Sequence, residues 1–240
     1  MATPRKNPTP ARGAERTYAA QLAKLAKQVG NIIGTANTSS PQGISALNTL
    51  LAAYAETLDG WARRTALKMV SDVNARDLST WRKLSGEISN ELKRELLQAP
   101  QTSLIGRLVD VQVALIKSIP IEAAERVNKL ALEAVQTGSR ASTIVDEIMR
   151  SGDVARSRAM LIARTEVSRT AATLTQGRAL SVGSPGYIWR TSRDGDVRPS
   201  HKAMQGKFVA WGAPPTLDGM QGHAGCLPNC RCWAEVVLPD

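Results

Sequence analysis

Apolar residues recur at spacings of three and four over most of the first 180 positions, and alternate or cluster in short runs afterwards. From about Ala14 to Ile33, Leu22, Leu25, Val29 and Ile32 mark one face of a helix. The stretch 34–43, rich in Ser, Thr, Asn, Gly and Pro, is expected to be a linker. From Ile44 to about Met149 helical spacing continues, with breaks expected near Gly60, Gly86, Pro100 and Pro120. Leu47, Leu50, Leu51, Tyr54 and Leu58 form one packing face. Gly138 and Ser139 suggest a helix stop, followed by a short helix over Thr143–Met149 that Gly152 ends.

Asp153 then predicts the cap of a long helix reaching about Val182, with Met160, Ala163, Val167, Ala171 and Leu174 on its buried face. After Gly183 and Gly186 the pattern changes. Tyr187–Arg190, Phe208–Trp211 and Trp233–Leu238 read as short strands of an antiparallel sheet, separated by turn residues. The fold class is therefore a mostly α N-terminal part followed by a small α+β C-terminal domain, a long helix plus short antiparallel strands. The expected division is a basic tail and first helix over 1–40, a helical region over 41–119 and the α+β domain over 120–240. Five of nine aromatic residues fall in the last quarter, which agrees with a compact core there.

Charge adds a partner class. Residues 1–150 carry 20 Lys and Arg against 14 Asp and Glu, and the whole chain has a net charge of +10. A positive excess of this size suits polyanions, because each phosphate neutralised releases a counterion; it equally describes a solvated basic surface. The steepest excess is N-terminal, where Arg5, Lys6, Arg12, Arg16, Lys24 and Lys27 face only Glu15. These six are the candidate nucleic-acid contacts, the first three in an expected mobile tail over residues 1–13. The N-terminus lacks the apolar segment of a secretory signal, and no run approaches the ~18 apolar residues of a membrane span. No membrane partner is expected, and the chain is expected in a cytosol.

Both histidines and all three cysteines lie in the last forty residues: His201, His223, Cys226, Cys230 and Cys232. An odd number of cysteines in a reducing compartment argues against a disulfide framework. On a strand, alternation would turn Cys230 and Cys232 to the same face. Three readings follow: one structural zinc bound by the cysteines with His201 or His223, at ~2.3 Å for sulfur; thiols buried as small apolar side chains; or redox chemistry. A hydrolytic site of Asp194, Asp196 and His201 is weaker, since Gly195 and Pro199 mark a turn. Arg164 and Glu166 are expected at the edge of the long helix, as an ion pair tying it to the loop Arg193–Pro199, as a solvated face, or in catalysis. That loop would clamp the helix or face a phosphate.

The order of these residues identifies the chain further. Ala163, Arg164, Thr165 and Glu166, then the strand with Trp189, then Asp196, Arg198 and His201 as D-x-R-x-x-H, then Gly206 and an apolar strand, then P-N-C-R-C ending at Cys232, resembles the phage Mu protein F-like family. The resemblance covers about residues 120–240. It implies a minor head protein of a tailed bacteriophage, associated with the portal protein, acting in head morphogenesis and in DNA packaging or ejection. The implied partners are the portal protein, a major capsid or scaffolding protein and non-specific double-stranded DNA. The implied location is the virion head or portal vertex, with host cytoplasm during assembly. Arg164, Glu166, Trp189, Asp196, Arg198 and Gly206 would be structural members of the motif, and no catalytic residue is expected. Two other classes compete: an F-like module of a toxin or ADP-ribosyltransferase system, against which the Arg and Glu pattern lacks a Glu-x-Glu pair, and a zinc-stabilised DNA-binding protein.

Overall fold

The computed structural model describes residues 11–38, 40–84, 101–137 and 141–239. Its helices are α1 (Arg12–Thr35), α2 (Pro41–Thr57), α3 (Asp59–Leu84), α4 (Thr102–Thr137), α5 (Ala141–Ser181) and the single-turn α6 (Pro199–Lys202). The strands are β1 (Gly186–Arg190), β2 (Phe208–Ala210), β3 (Thr216–Leu217), β4 (Met220–Gln221) and β5 (Trp233–Val237). A long helical part thus precedes short antiparallel strands, as the periodicity predicts.

Several boundaries differ from the sequence expectation. Helix α1 already begins at Arg12, inside the expected tail, and residues 1–10, with Arg5 and Lys6, lie outside the described residues. The expected linker shrinks to a few residues, because Ser40 caps α2 by accepting the Gly43 N–H at 3.1 Å and Pro41 starts it. The breaks near Gly86, Pro100 and Gly138–Ser139 also fall outside the described residues.

Pro120 does not break α4. Interior proline costs about 3 kcal/mol, but Ile116, Ile119, Ala123 and Val127 bury one continuous stripe through it, and each large side chain so buried returns about 1.5–3 kcal/mol. Nor does Gly152 end a helix or Asp153 start one, since α5 runs through both. Leu50 and Met160, placed on packing faces by spacing, are 51% and 42% exposed.

The chain forms two compact units. The first comprises Arg16–Leu67 and Val109–Ala163. Its regular structure among the described residues is helical, with Leu22, Val29, Ile33, Leu47, Leu51, Ile116 and Ile148 among its fully buried side chains. Its buried Gln112 is satisfied by the Tyr18 hydroxyl at 3.1 Å.

The second unit comprises the described parts of Met1–Glu15, Lys68–Leu108 and Arg164–Asp240. Its sheet has the order β2-β1-β5, antiparallel throughout, with Tyr187 opposite Val209 and Val236 and Trp189 opposite Ala234. Trp81 from α3 joins Tyr187, Trp189, Val209, Trp211, Leu227 and the two cysteines Cys230 and Cys232 in one core cluster. Beneath it, Arg178 pairs with the carboxylate of Asp77, which also accepts from Thr175 at 2.5 Å, and Arg178 reaches Asn74 at 2.5 Å. Gly186 is required where the sheet starts: a Cβ there would lie 2.3 Å from the Val209 carbonyl oxygen and 2.6 Å from the Phe208 ring. A second hairpin, β3–β4, turns on Asp218 and Gly219, both at positive φ, the conformation of a type I′ turn.

Candidate metal centre and its clamp

The two cysteines of C-R-C lie just ahead of β5, in a loop rather than on the strand. Their side chains still point to the same side, and Arg231 between them points outward to Asp194 at 2.8 Å and Asp196 at 3.1 Å. His201, on α6, meets both sulfurs: its Nδ1 lies 3.5 Å from Cys230 Sγ and 3.5 Å from Cys232 Sγ. The ligand atoms of His201, Cys230 and Cys232 all lie within 4.8 Å of one another, and all three residues are buried. Trp189 fixes the imidazole from the side, ring edge to face, with centroids 5.7 Å apart. His201 Nε2 is buried without a hydrogen-bond partner, so the ring is oriented by its Nδ1 side and by this packing.

The two sulfurs titrate together. A thiolate at Cys230 is favoured by the Cys232 thiol and by the backbone N–H groups of Cys232 and Gly225, which outweigh burial and hold its thiol below the usual range. Cys232 moves up for the complementary reason, since donating to Cys230 keeps its proton; Trp189 and Arg198 beside it act the other way, favouring its thiolate. A pair of soft sulfurs and an imidazole nitrogen, with donors aimed at the sulfurs, is the chemistry of a zinc site. Among the described residues these three can hold a metal ion.

The loop that carries the cysteines is held to α5 by side chains of the A-R-T-E turn and the residues just after it. Thr165 Oγ1 accepts the Asn229 N–H at 3.1 Å, the Ser168 hydroxyl donates to the Cys230 carbonyl at 3.1 Å, and Arg169 Nε donates to the Cys226 carbonyl at 3.0 Å. Arg198 closes the other side, donating to the Pro228 carbonyl at 2.7 Å. Helix α5, the turn with Arg198 and the cysteine loop thus form a clamp, touching through these hydrogen bonds.

Not every candidate joins this centre. His223 stands apart, with Nδ1 3.2 Å from the Tyr187 hydroxyl and Nε2 3.4 Å from the Gln176 amide nitrogen. The Tyr187 oxygen accepts the Ala224 N–H at 3.1 Å and also meets His223 Nδ1, so that ring nitrogen is committed to the phenol whichever of the two carries the proton. Burial lowers the His223 pKa and keeps the ring neutral. Cys226 is half-buried, and burial pushes its thiol up to about 11. Glu166 is buried and pairs with Arg169 at 2.7 Å, whereas Arg164 is exposed with Glu15 at 4.0 Å. Asp194 and Asp196 meet Arg231 on the surface instead of α5. Gly206 sits at φ +80 and donates to the Trp189 carbonyl at 2.8 Å, a left-handed position that accounts for glycine there.

Ser168 and Arg169 are the members that sequence reasoning missed, and Thr165 was read only as part of the motif. Their signal was present: polar residues three and four apart, on one side of a helix whose other side is apolar.

Residues 125–235 match the family model described as Phage Mu protein F like protein. The matched segment lies in the C-terminal half, makes up a little under half of the chain and is similar to that family. This links the chain to phage head proteins. An uncharacterized protein of Haemophilus influenzae is 32% identical over 158 residues, which make up 65% of this chain and 35% of that protein. The chain therefore covers well under half of that relative's length. No solved structure matches the chain. The clamp and the metal-ligating triad both fall inside the F-like segment, as do all the F-like motif residues from Arg164 to Gly206.

The described basic candidates lie on α1. Arg12, Arg16, Lys24 and Lys27 are all exposed, and Arg16, Lys24 and Lys27 share a face at spacings of eight and three. No helix among the described residues is long and apolar enough to cross a membrane.

Proposed function

We propose that this protein is a minor component of a tailed-phage head, placed at the portal vertex or head interior, that works by assembly and contact without catalytic turnover. The observation that carries the reading is the match of residues 125–235 to the Phage Mu protein F like family, and the clamp residues lie inside that matched segment. Its partners are the portal protein, a major capsid or scaffolding protein, and packaged double-stranded DNA met through the basic face of α1. The same reading includes one structural zinc at His201, Cys230 and Cys232, which ties α6 to the cysteine loop and so holds the clamp shut. Zinc there would supply folding energy and no chemistry of turnover.

Quantitative mass spectrometry of purified proheads and mature heads tests the proposal. The chain is expected in both at amounts far below the major capsid protein. Its absence from both particles would remove the reading.

A further inference from the structure

A structural zinc takes four ligands from the protein, and three converge here. The triad is buried, so a solvent molecule is a poor fourth partner. Most nearby donors are already committed: His223 Nδ1 to Tyr187, Glu166 to Arg169, and Asp194 and Asp196 to Arg231 at the surface.

Cys226 is different. Its carbonyl is fixed by Arg169 and its N–H by the His223 carbonyl at 3.0 Å, so its backbone is anchored. The residue before it, Gly225 at φ +88, turns its own N–H toward the Cys230 sulfur. Ser168 stands on the same spot, 3.4 Å from where a Gly225 Cβ would be and bonded to the Cys230 carbonyl. Cys226 is therefore moored next to the residue that touches the sulfur pair, while its own sulfur stands outside the three ligand atoms that lie within 4.8 Å of one another.

Resting on the structural-zinc reading, we infer that Cys226 is the fourth ligand, reaching the ion by turning its side chain about Cα–Cβ while the backbone stays where Arg169 holds it. The site is then three sulfurs and one imidazole nitrogen, closed to solvent. The protons displaced from the thiols on binding leave to solvent. This assignment also gives Arg169 a second role: by fixing the Cys226 carbonyl it positions a ligand. His223, although it lies in the same segment, stays outside the coordination sphere.

Cobalt(II), a spectroscopic stand-in for zinc, tests this on the full chain purified reduced and metal-free. Wild type is expected to take one Co²⁺ with tetrahedral ligand-field bands and a thiolate-to-cobalt charge-transfer band of three-sulfur intensity. In Cys226→Ala and Cys226→Ser that intensity falls by about one third and cobalt binding weakens by about tenfold or more. His223→Gln leaves both unchanged. Metal-free Cys226→Ala should melt with metal-free wild type, which separates loss of a ligand from loss of the fold. Full intensity and affinity in both Cys226 variants would overturn this assignment and leave the three-residue zinc site standing. Failure of wild type to bind either Co²⁺ or Zn²⁺ would remove the zinc reading itself and the fourth ligand with it.

Discussion

Arg169 and Cys226, 57 residues apart in sequence, are joined by a hydrogen bond of 3.0 Å from the guanidinium Nε to the carbonyl oxygen. The same guanidinium pairs through Nη1 with the buried Glu166 at 2.7 Å. One planar side chain therefore links the helix to the cysteine loop while neutralising a carboxylate beneath it. Arg169→Met is expected to lower stability by about 2 kcal/mol, measured by urea unfolding of the full chain. Arg169→Lys should recover little, because a point-charge ammonium does not reproduce the two-sided fork. Arg164→Met, which removes only an exposed pair at 4.0 Å, should change stability by less than about 0.5 kcal/mol. Equal effects of the Arg164 and Arg169 changes would contradict the clamp.

Two glycines face each other across a helix crossing in the first unit and should respond differently to alanine. A Cβ at Gly30 would sit 3.8 Å from the Gly152 Cα, an ordinary contact, whereas one at Gly152 would sit 3.1 Å from the Gly30 Cα. Gly30→Ala should therefore gain most of the helix-propensity difference, about 0.5–1 kcal/mol. Gly152→Ala should gain less or lose stability, and Gly152→Leu should destabilise by about 1–3 kcal/mol through overpacking. Thermal melts of the three variants decide this, and a reversed order of the two alanine variants would refute the crossing geometry.

His223 gives a pH signature. Burial lowers its pKa in the folded state, so at mildly acid pH the unfolded chain binds a proton that the folded chain does not. The stabilisation from a neutral His223 is complete above the ordinary imidazole pKa of about 6.5 and is lost as pH falls below it. Stability of the metal-free protein should drop from pH 7 toward pH 5, and His223→Gln should remove part of that drop. A His223→Gln profile parallel to wild type over this window would show that the ring is not held neutral.

DNA binding, if carried by α1, depends on side chains that can be changed without touching the core. Deleting α1 would not test it, because Leu22, Leu25 and Val29 on the opposite face are buried. Replacing Arg12, Arg16, Lys24 and Lys27 together with Gln should weaken binding to any duplex sequence and flatten the log–log salt dependence by about 0.9 for each phosphate no longer engaged. Fluorescence anisotropy at several salt concentrations measures both. An unchanged slope would move the DNA surface away from α1.

The sequence by itself determined the element types, the α-then-α+β order and the family resemblance of the C-terminal half, because helical and strand periods, turn residues and the order of motif residues are properties of the chain itself. The stripe through Val167 and Leu174 and the aromatic strand at Tyr187 were legible in this way, and so was the family order from Ala163 to Cys232. It also placed Cys230 and Cys232 on one side, although they precede the strand whose alternation suggested it. What tertiary structure decided was which polar groups meet. Spacing made Pro120 and Gly152 into breaks, but the buried stripe through Ile116, Ile119, Ala123 and Val127 holds α4 together past its proline, and α5 continues through its glycine. Composition made His201 and His223 equivalent, yet the Tyr187 hydroxyl takes up one ring and the two sulfurs face the other. A hydrogen bond or a ligand set needs atoms a few ångströms apart in a fixed direction, and residues thirty to sixty positions apart acquire that relation only when the chain is folded.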